Sequence, residues 1–321
     1  MPAPIDTLVT VYGGSGFLGR HVVRALARRG YRIRVGVRRP DLAGHLQPLG
    51  RVGQIHAVQA NLRYPDSVTA AARDASAIVN LVGILWESGA QTFDAVQTEG
   101  AATVARTAAA IGARLVHVSA LGADDAATSR YARAKAAGEA AVHAAAADAT
   151  ILRPSVMFGP EDHFTNRFAA LARMTPVLPL VGAATRLQPV FAGDVAEAVA
   201  DAVDGKARPG AVYELGGPEA MTMREVVEAI LRITGRERLL MPLPFALARL
   251  KAAFLQFAPG DFKLTPDQVD LLRSDNVVSE AAKAAGLTLE GLGITPDSLE
   301  AVTPSYLWRF RKAGQFAQKG A

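Results

Sequence analysis

The sequence predicts an α/β protein: a doubly wound parallel sheet with helices on both faces, joined to a smaller, mostly helical C-terminal lobe. Three observations predict it. Short β-branched segments alternate with helical ones through the first half of the chain. A glycine-rich turn joins the first strand to the first helix. Half of the 321 residues are apolar and 20% are charged, which supplies a full core and argues against disorder.

The elements follow in order. Thr7–Tyr12 is a short β-branched strand, and Gly13-Gly14-Ser15-Gly16-Phe17-Leu18-Gly19 follows directly. The next helix carries Leu18, Val22, Ala25 and Leu26 on one face and stops at Gly30, a residue suited to a helix end. Further strands are expected at Tyr31–Val37, Gln54–Gln59, Ala77–Val82, Arg114–Val118 and Ala149–Leu152. Ala-rich helices lie between them, near Thr98–Ile111 and Ser129–Ala147. Strands separated by helices imply right-handed crossovers and a parallel sheet. Gln188–Asp204 is expected to return to this lobe as strand and helix, and Ala211–Leu215 as a further strand. The first lobe is therefore expected over residues 1–155 with 188–215, and the smaller one over 156–187 and 216–321. Met174–Gly182 and Pro242–Gly260 read as connections or adaptable surfaces.

Composition removes several function classes. Without cysteine there are no disulfides, thiolate nucleophiles or cysteine-held metals. The six histidines show no metal-ligand spacing, and Glu161-Asp162-His163 reads as a solvated loop, so no metal is expected. No G-x-S-x-G occurs, so Ser119 does not read as a hydrolase nucleophile. No apolar run reaches the ~18–20 residues that cross a bilayer. The N-terminal segment enters a strand almost at once, which leads us to expect no targeting peptide and a cytoplasmic location.

The net charge of +5 is unevenly spread. Eight arginines and no carboxylate lie between Arg20 and Arg39. Their spacing suits one solvated helix face and one half-exposed strand. The last 21 residues carry Arg309, Arg311, Lys312 and Lys319 without an acid, beside Tyr306, Leu307, Trp308 and Phe310. Such a tail suits an anionic membrane surface or partner, and equally a docked C-terminal helix. No nucleic-acid motif accompanies these charges, so nucleic acid is not an expected partner.

Chemistry enters at the glycine loop. Gly13, Gly16 and Gly19 are spaced G-x-x-G-x-x-G between a strand and a helix. The first glycine turns the chain, the second admits a pyrophosphate, and the third lets helix and sheet close. Gly13, Ser15, Gly16, Phe17, Leu18 and Gly19 are thus candidate dinucleotide ligands, with free N–H groups at the helix start facing the phosphates. An NAD site usually ends the second strand in Asp or Glu. Here it ends Val35-Gly36-Val37-Arg38-Arg39. Gly36 is read as leaving space, Arg38 as the group that faces a 2′-phosphate, and Arg39 as its assistant. The expected cofactor is NADPH.

A second signal is Ser119 at a strand end with Tyr131-x-x-x-Lys135 on a helix. Residues four apart share a helix face. An ammonium beside the phenol favours phenolate, which fits Tyr131 to exchange a proton with a carbonyl or alcohol oxygen. Ser119 can hydrogen-bond the same oxygen, and Lys135 can also hold the nicotinamide ribose.

With these residues the chain resembles the extended or atypical short-chain dehydrogenase/reductases, over about residues 6–220. Other matching pieces are Asn61-Leu62, Asn80-Leu81-Val82-Gly83, Leu152-Arg153-Pro154-Ser155, Phe158-Gly159-Pro160, and Gln188–Phe191 leading to Asp194-Val195-Ala196. The resemblance implies a Rossmann fold. It implies that Asn61 and Leu62 line the adenine, although the family more often has Asp first. It also implies that Leu81, Val82 and Gly83 pass beside the cofactor and that Pro154 to Val156 flank the nicotinamide. Leu264–Leu272 opens with a capping box, Thr265-Pro266-Asp267-Gln268. With Asp275–Ser279 and PSYLWRFRKAGQ from Pro304, it makes nearly the whole chain similar to the Rossmann-type, NADPH-binding accessory subunits of respiratory complex I, in their alphaproteobacterial form. That similarity implies a nucleotide held as a structural ligand near the junction of the peripheral and membrane arms, on the cytoplasmic side of the inner membrane.

Two function classes stand at this point. One is an accessory, stabilising subunit with bound NADPH. The other is a stand-alone NADPH-dependent reductase, or an epimerase or dehydratase, in which Tyr131, Lys135 and Ser119 are catalytic. The apolar stretch Pro244–Phe257, edged by Arg249 and Lys251, suits a helix on a membrane or partner, and equally a cap helix lining a substrate pocket.

Overall fold

The computed structural model describes residues 6–258, 263–312 and 314. In chain order it opens with β1 (Leu8–Tyr12), α1 (Phe17–Arg28), β2 (Arg32–Val37), β3 (Ile55–Gln59), α2 (Pro65–Ala72), β4 (Ala77–Asn80), α3 (Glu99–Ile111), β5 (Arg114–Val118), α4 (Arg130–Ala145) and β6 (Thr150–Pro154). Then come β7 (Met157–Phe158), α5 (Thr165–Met174), β8 (Val177–Val181), β9 (Arg186–Leu187), β10 (Val190–Phe191), α6 (Ala192–Asp204) and β11 (Val212–Leu215). The last part holds β12 (Met221–Thr222), α7 (Met223–Thr234), β13 (Leu239–Leu243), α8 (Phe245–Leu255), α9 (Pro266–Leu271), α10 (Glu280–Ala285), α11 (Leu299–Val302) and α12 (Pro304–Leu307). The chain forms two compact units. The first comprises the described residues up to Pro154, Gly193–Leu215 and Ser279–Ile294; the second comprises Ser155–Ala192, Gly216–Val278 and the described residues from Thr295.

The first unit is built on a seven-stranded parallel sheet ordered β3-β2-β1-β4-β5-β6-β11. Strand order reverses between β1 and β4, the point where open α/β sheets bind ligands beyond their strand ends. The glycine loop leaves β1 there. Seven of the eight strands read from the sequence take places in this sheet. The central strands β1, β4, β5 and β6 are buried on both faces because helices cover both sides, while β2 and β3 expose Arg32, His56 and Gln59. Tyr12, Ile78, Leu115 and Ile151 pack on Val68 and Ala71 of α2 and on Val104 and Ala108 of α3. The Tyr12 hydroxyl donates to the Val68 carbonyl at 2.6 Å, which locks β1 to α2.

Two expectations about the return segments change. Val190–Phe191 pairs with Met157–Phe158 in the second unit rather than joining the main sheet. The reason is that β11 lies directly beside β6 and fills that edge position. Residues 279–294, read as part of the smaller lobe, cluster with the first unit. Glu214 N–H donates to the Leu287 carbonyl at 2.9 Å and Ser279 N–H to the Glu214 carboxylate at 2.7 Å, so they cover the outer edge of β11.

In the arginine-rich stretch Arg24, Arg28 and Arg32 are exposed, as the spacing predicts, while Arg29 and Arg34 are committed to partners. Arg29, at the end of α1, forks to Asp201 at 2.8 Å, Asp204 at 2.6 Å and Glu197 at 2.6 Å, fixing α1 to α6. Arg34 donates to the Ala71 and Arg73 carbonyls and so caps the end of α2.

The second unit mixes helices with three two-stranded ribbons, β7–β10, β8–β13 and β9–β12. Met174–Gly182, read as a connection, contains β8 paired along its length with β13. Phe158, Val226, Ile230, Leu299 and Leu307 form one core cluster. The Thr265 side chain accepts from Gln268 N–H and Gln268 caps in return, as the motif predicts. α8 buries Ala248 and Ala252, but leaves Leu250 60% and Phe254 73% exposed, and Phe257 just beyond it is 84% exposed.

Of the two roles open to the basic tail, docking holds for its described part. Tyr306 and Leu307 are buried, and the Tyr306 hydroxyl donates to Asp162 at 3.1 Å. Arg309 donates to the Pro160 carbonyl and Asn166, and Arg311 to the Ile233 carbonyl. Lys319, along with most of 313–319, lies outside the described residues. Asp162 accepts N–H groups from Gly159, Phe164, Thr165 and Asn166, so it is committed to capping the start of α5. Among the described residues no helix is long and apolar enough to cross a membrane.

Candidate functional site

The glycine loop is shaped by backbone contact. Gly13 sits at φ +80°, and its N–H donates to the Gly36 carbonyl at 3.1 Å. A Cβ at Gly19 would lie 2.4 to 2.5 Å from the backbone of Gly13 and Gly14, so only glycine lets α1 close on the loop. Gly14 is a further requirement outside the motif spacing: its Cβ would meet Val35 Cγ1 at 2.6 Å. At Gly16 a Cβ would meet only the Gly13 carbonyl, at 3.3 Å, so its outer side is open. Gly16 caps α1 without a side-chain bond, and the first turn carries no acid. The N–H groups and positive helix end there are left for an anionic group. Ser15 and Phe17 are half-buried, while Leu18 is a core residue that offers the loop only its backbone.

At the end of β2, Arg38 is exposed and makes no hydrogen bond or ion pair among the described residues. Arg39 is held by Asp41 through two bonds of 3.0 and 2.7 Å, which depresses the carboxyl pKa and raises that of the guanidinium. The space at Gly36 serves a different purpose from the one expected. A Cβ there would meet the Tyr12 ring at 2.7 Å and Ala60 at 3.2 Å, so the residue is small to seat Tyr12.

Beyond β3, Asn61 forms a turn, with its side chain accepting from Arg63 N–H at 3.2 Å and its own N–H donating to Ser67. Leu62 is in the core against Gly100. Beyond β4, Leu81 N–H donates to the Tyr12 carbonyl at 3.0 Å and Val82 N–H to Asn80 Oδ1 at 3.1 Å. The Asn80 amide donates to His117 Nδ1 at 3.1 Å, leaving the imidazole proton on Nε2. Burial, then the charges of Lys135 and His143, push the His117 pKa down to about 3, so it stays neutral. This buried pair fixes the start of the Leu81–Gly83 segment.

Ser129 caps α4 by accepting from Ala132 N–H, which places half-buried Tyr131 in the first turn. The Lys135 ammonium donates to the Val118 carbonyl at 3.3 Å, lies 6.0 Å from the Tyr131 ring centre, and is 3.4 Å from where a Gly83 Cβ would sit. Ser119 follows Val118, and its buried hydroxyl has no hydrogen-bond partner among the described residues. Gln97, in a π-helical turn at Asp94–Thr98, is also buried with both amide atoms unpartnered. The Gln97 side-chain oxygen is 3.8 Å from the Gly83 Cβ position. Orphaned buried polar atoms on a site wall mark places for ligand groups. Gln97 has no sequence signal; only the wide turn that holds it could have given it away. Gly83, the Val118 end of β5 that leads into Ser119, and the Tyr131 ring thus all lie around the Lys135 ammonium. Pro154 ends β6, its carbonyl accepting Leu121 N–H at 3.0 Å. Val156 belongs to the second unit, where its N–H donates to Asn276. Among the described residues no His, Asp and Glu group could hold a metal ion.

Burial pushes the Lys135 pKa down to about 8, partly offset by Glu139. Below that pH the folded protein keeps a buried ammonium at a cost. Between about 8 and the unfolded value the native amine is neutral while the unfolded one is charged. Stability contributed at this site therefore rises with pH there, by roughly 1.4 kcal/mol per unit. Urea titrations of wild type and Lys135→Met at pH 7.5 and 9.5 test this. Wild type should gain on the variant at the higher pH; a constant gap would contradict it.

Residues 9–216 match the NAD dependent epimerase/dehydratase family. The chain is 34% identical over 322 residues to NADH dehydrogenase (ubiquinone) 1 alpha subcomplex subunit 9, mitochondrial, of Arabidopsis thaliana, covering 96% of this chain and 79% of that one. It is 37% identical over 189 residues to ceramide reductase of Caulobacter vibrioides, covering 59% of this chain and 58% of that one. The crystal structure of an NADPH-dependent quinone oxidoreductase from Escherichia coli complexed with NADPH shares the fold. Its TM-score is 0.70 at 20% identity, over 91% of this chain and 97% of that one. Strand order and the glycine loop agree with these matches, and the chain belongs to the NAD-dependent epimerase/dehydratase family of Rossmann-fold short-chain dehydrogenase/reductases.

Proposed function

We propose that this protein is an NADPH-binding accessory subunit of respiratory NADH:ubiquinone oxidoreductase, complex I, with the nucleotide as a structural ligand and a stabilising role in assembly. The observation that carries this reading is the 34% identity over 96% of the chain to a mitochondrial subunit of that enzyme. The likeness includes the second unit, well beyond the residues a nucleotide alone requires.

The site fits a dinucleotide. The open side of Gly16 and the uncapped N–H groups of α1 take the diphosphate, and Arg38 takes the 2′-phosphate. Asn61 and Leu62 face the adenine, and Leu81, Val82 and Gly83 run beside the cofactor. Tyr131 and Lys135 hold the nicotinamide ribose, with Pro154 at the ring. A reduced nicotinamide, when bound, supplies a hydride; holding it needs no turnover. Partners are other complex I subunits near the junction of the peripheral and membrane arms. The exposed stripe of α8 faces a partner or the membrane surface, on the cytoplasmic side of the inner membrane.

Affinity purification of the tagged native chain tests this. Co-fractionation with the respiratory assembly is expected, unchanged in Tyr131→Phe. A free soluble pool that oxidises NADPH against a small carbonyl, and stops doing so in Tyr131→Phe, would overturn it.

That contrary outcome is the second reading, a stand-alone NADPH-dependent reductase or an epimerase or dehydratase. The 37% identity to ceramide reductase over 189 residues favours it, as does the retention of Ser119, Tyr131 and Lys135. There the Ser119 hydroxyl donates to a substrate oxygen and Tyr131 exchanges its proton with that oxygen.

A further inference from the structure

Of the two neighbours left open for α8, we infer that the bilayer is the one. The outer faces of α8 and of β13, the strand that leads into it, seat on an anionic phospholipid surface, with Lys251 at the lipid phosphates and Phe254 and Phe257 in the acyl boundary. The inference deepens the proposed function and rests on it only in taking a membrane as the neighbour.

A helix that seals a core buries its large apolar residues and shows its alanines; α8 does the reverse. It packs Ala248 and Ala252 into a cluster with Leu243 and Val269. Leu247, Leu250 and Phe254 recur at helical spacing and so share one face, and all three are exposed, as is Phe257. The strand before it is alike. Leu240 of β13 packs on the cluster of Leu178 and Leu180, while Leu239 and Met241, two apart on the other side of the strand, are exposed. Large exposed apolar patches of this kind mark interaction surfaces.

Charge selects the occupant. From Leu239 to Ala258 there is no carboxylate. Arg249 and Arg273 both reach the buried Asp270, at 3.4 and 3.2 Å, so that carboxylate cancels only one of them. Lys251 stands on the apolar face itself, four residues after Leu247 and three before Phe254; it is exposed and makes no ion pair among the described residues. A protein closing over this face would bury the ammonium and would need a carboxylate placed to meet it. A bilayer makes no such demand: the leucine and phenylalanine tips enter the acyl boundary while the lysine stem reaches back to phosphate. Anionic headgroups also answer the surplus positive charge. With 11 residues, α8 is roughly 16 Å long, about half a hydrocarbon core, so it lies along the surface.

Flotation of the full chain with vesicles tests this. Vesicles of phosphatidylcholine alone are compared with vesicles of phosphatidylcholine and phosphatidylglycerol, with Phe254→Ser and Lys251→Glu beside wild type. Both side chains are exposed, so each variant should melt like wild type. Wild type should bind the anionic vesicles about tenfold or more tightly than the neutral ones. Phe254→Ser and Lys251→Glu should each weaken that binding by about tenfold. Binding to neither vesicle, equal binding to both, or variants that bind like wild type would overturn the inference. So would a dimer that forms through this face, seen in sedimentation, dissolved by Phe254→Ser and indifferent to vesicles. Flotation needs neither nucleotide nor respiratory subunits, so its failure strikes this inference alone, while failure to co-fractionate with the respiratory assembly strikes the proposed function.

Discussion

An Arg38→Ala variant will bind NADPH about ten- to a hundredfold more weakly than wild type and leave NADH affinity unchanged. A hydrogen bond to a charged group is worth roughly 1.5–3 kcal/mol, and each 1.4 kcal/mol is a factor of ten. Arg38 is exposed and unpaired, so its removal costs the fold little. Arg39 cannot replace it without giving up both bonds to Asp41. Releasing Arg39 by adding Asp41→Ala should therefore restore part of the lost affinity. Calorimetric titration with both nucleotides measures all three proteins. Equal loss of NADPH and NADH would mean that Arg38 does not read the 2′-phosphate.

Gly19→Ala should act on fold and ligand together. Alanine normally favours a helix over glycine by about 1 kcal/mol. Here the added carbon would sit 2.4 to 2.5 Å from the Gly13 and Gly14 backbone, which cannot rotate away as a side chain can. Overpacking of this kind costs typically 1–3 kcal/mol, so the net change is destabilising. The loop must also part from α1, spreading the N–H groups meant for the diphosphate, and dinucleotide affinity should fall by more than about tenfold. Gly16→Ala separates the two effects. Its Cβ meets only one atom, at 3.3 Å, so thermal stability should stay close to wild type while binding falls. If Gly19→Ala melted and bound like wild type, the loop would not be packed as described.

The main sheet was legible because its central strands are short apolar runs closed by turn residues and β2 alternates arginine with apolar residues. The glycine loop, the Tyr131–Lys135 pair and the Thr265 capping box were legible for a related reason: each is a local spacing with a local consequence. What escaped depends on partners distant in sequence. The two-residue strand Val190–Phe191 is defined only by Met157–Phe158. Residues 279–294 join the first unit through one edge strand. Gly36 was misread because Tyr12, its neighbour across the sheet, claims the space. Arg29 lies off the solvated face of α1, and its three carboxylates come from α6, far along the chain. Gln97 carries no pattern at all; its interest lies in two amide atoms left without partners.

The account turns on a dinucleotide gripped by backbone amides at the start of α1 and chosen by Arg38. The most direct measurement is the affinity of the purified, nucleotide-stripped and refolded chain for NADPH and NADH, with any nucleotide carried through purification identified by mass. The account predicts tight NADPH binding, a clear preference over NADH, and NADP(H) as the carried nucleotide. A folded protein that binds neither would contradict it.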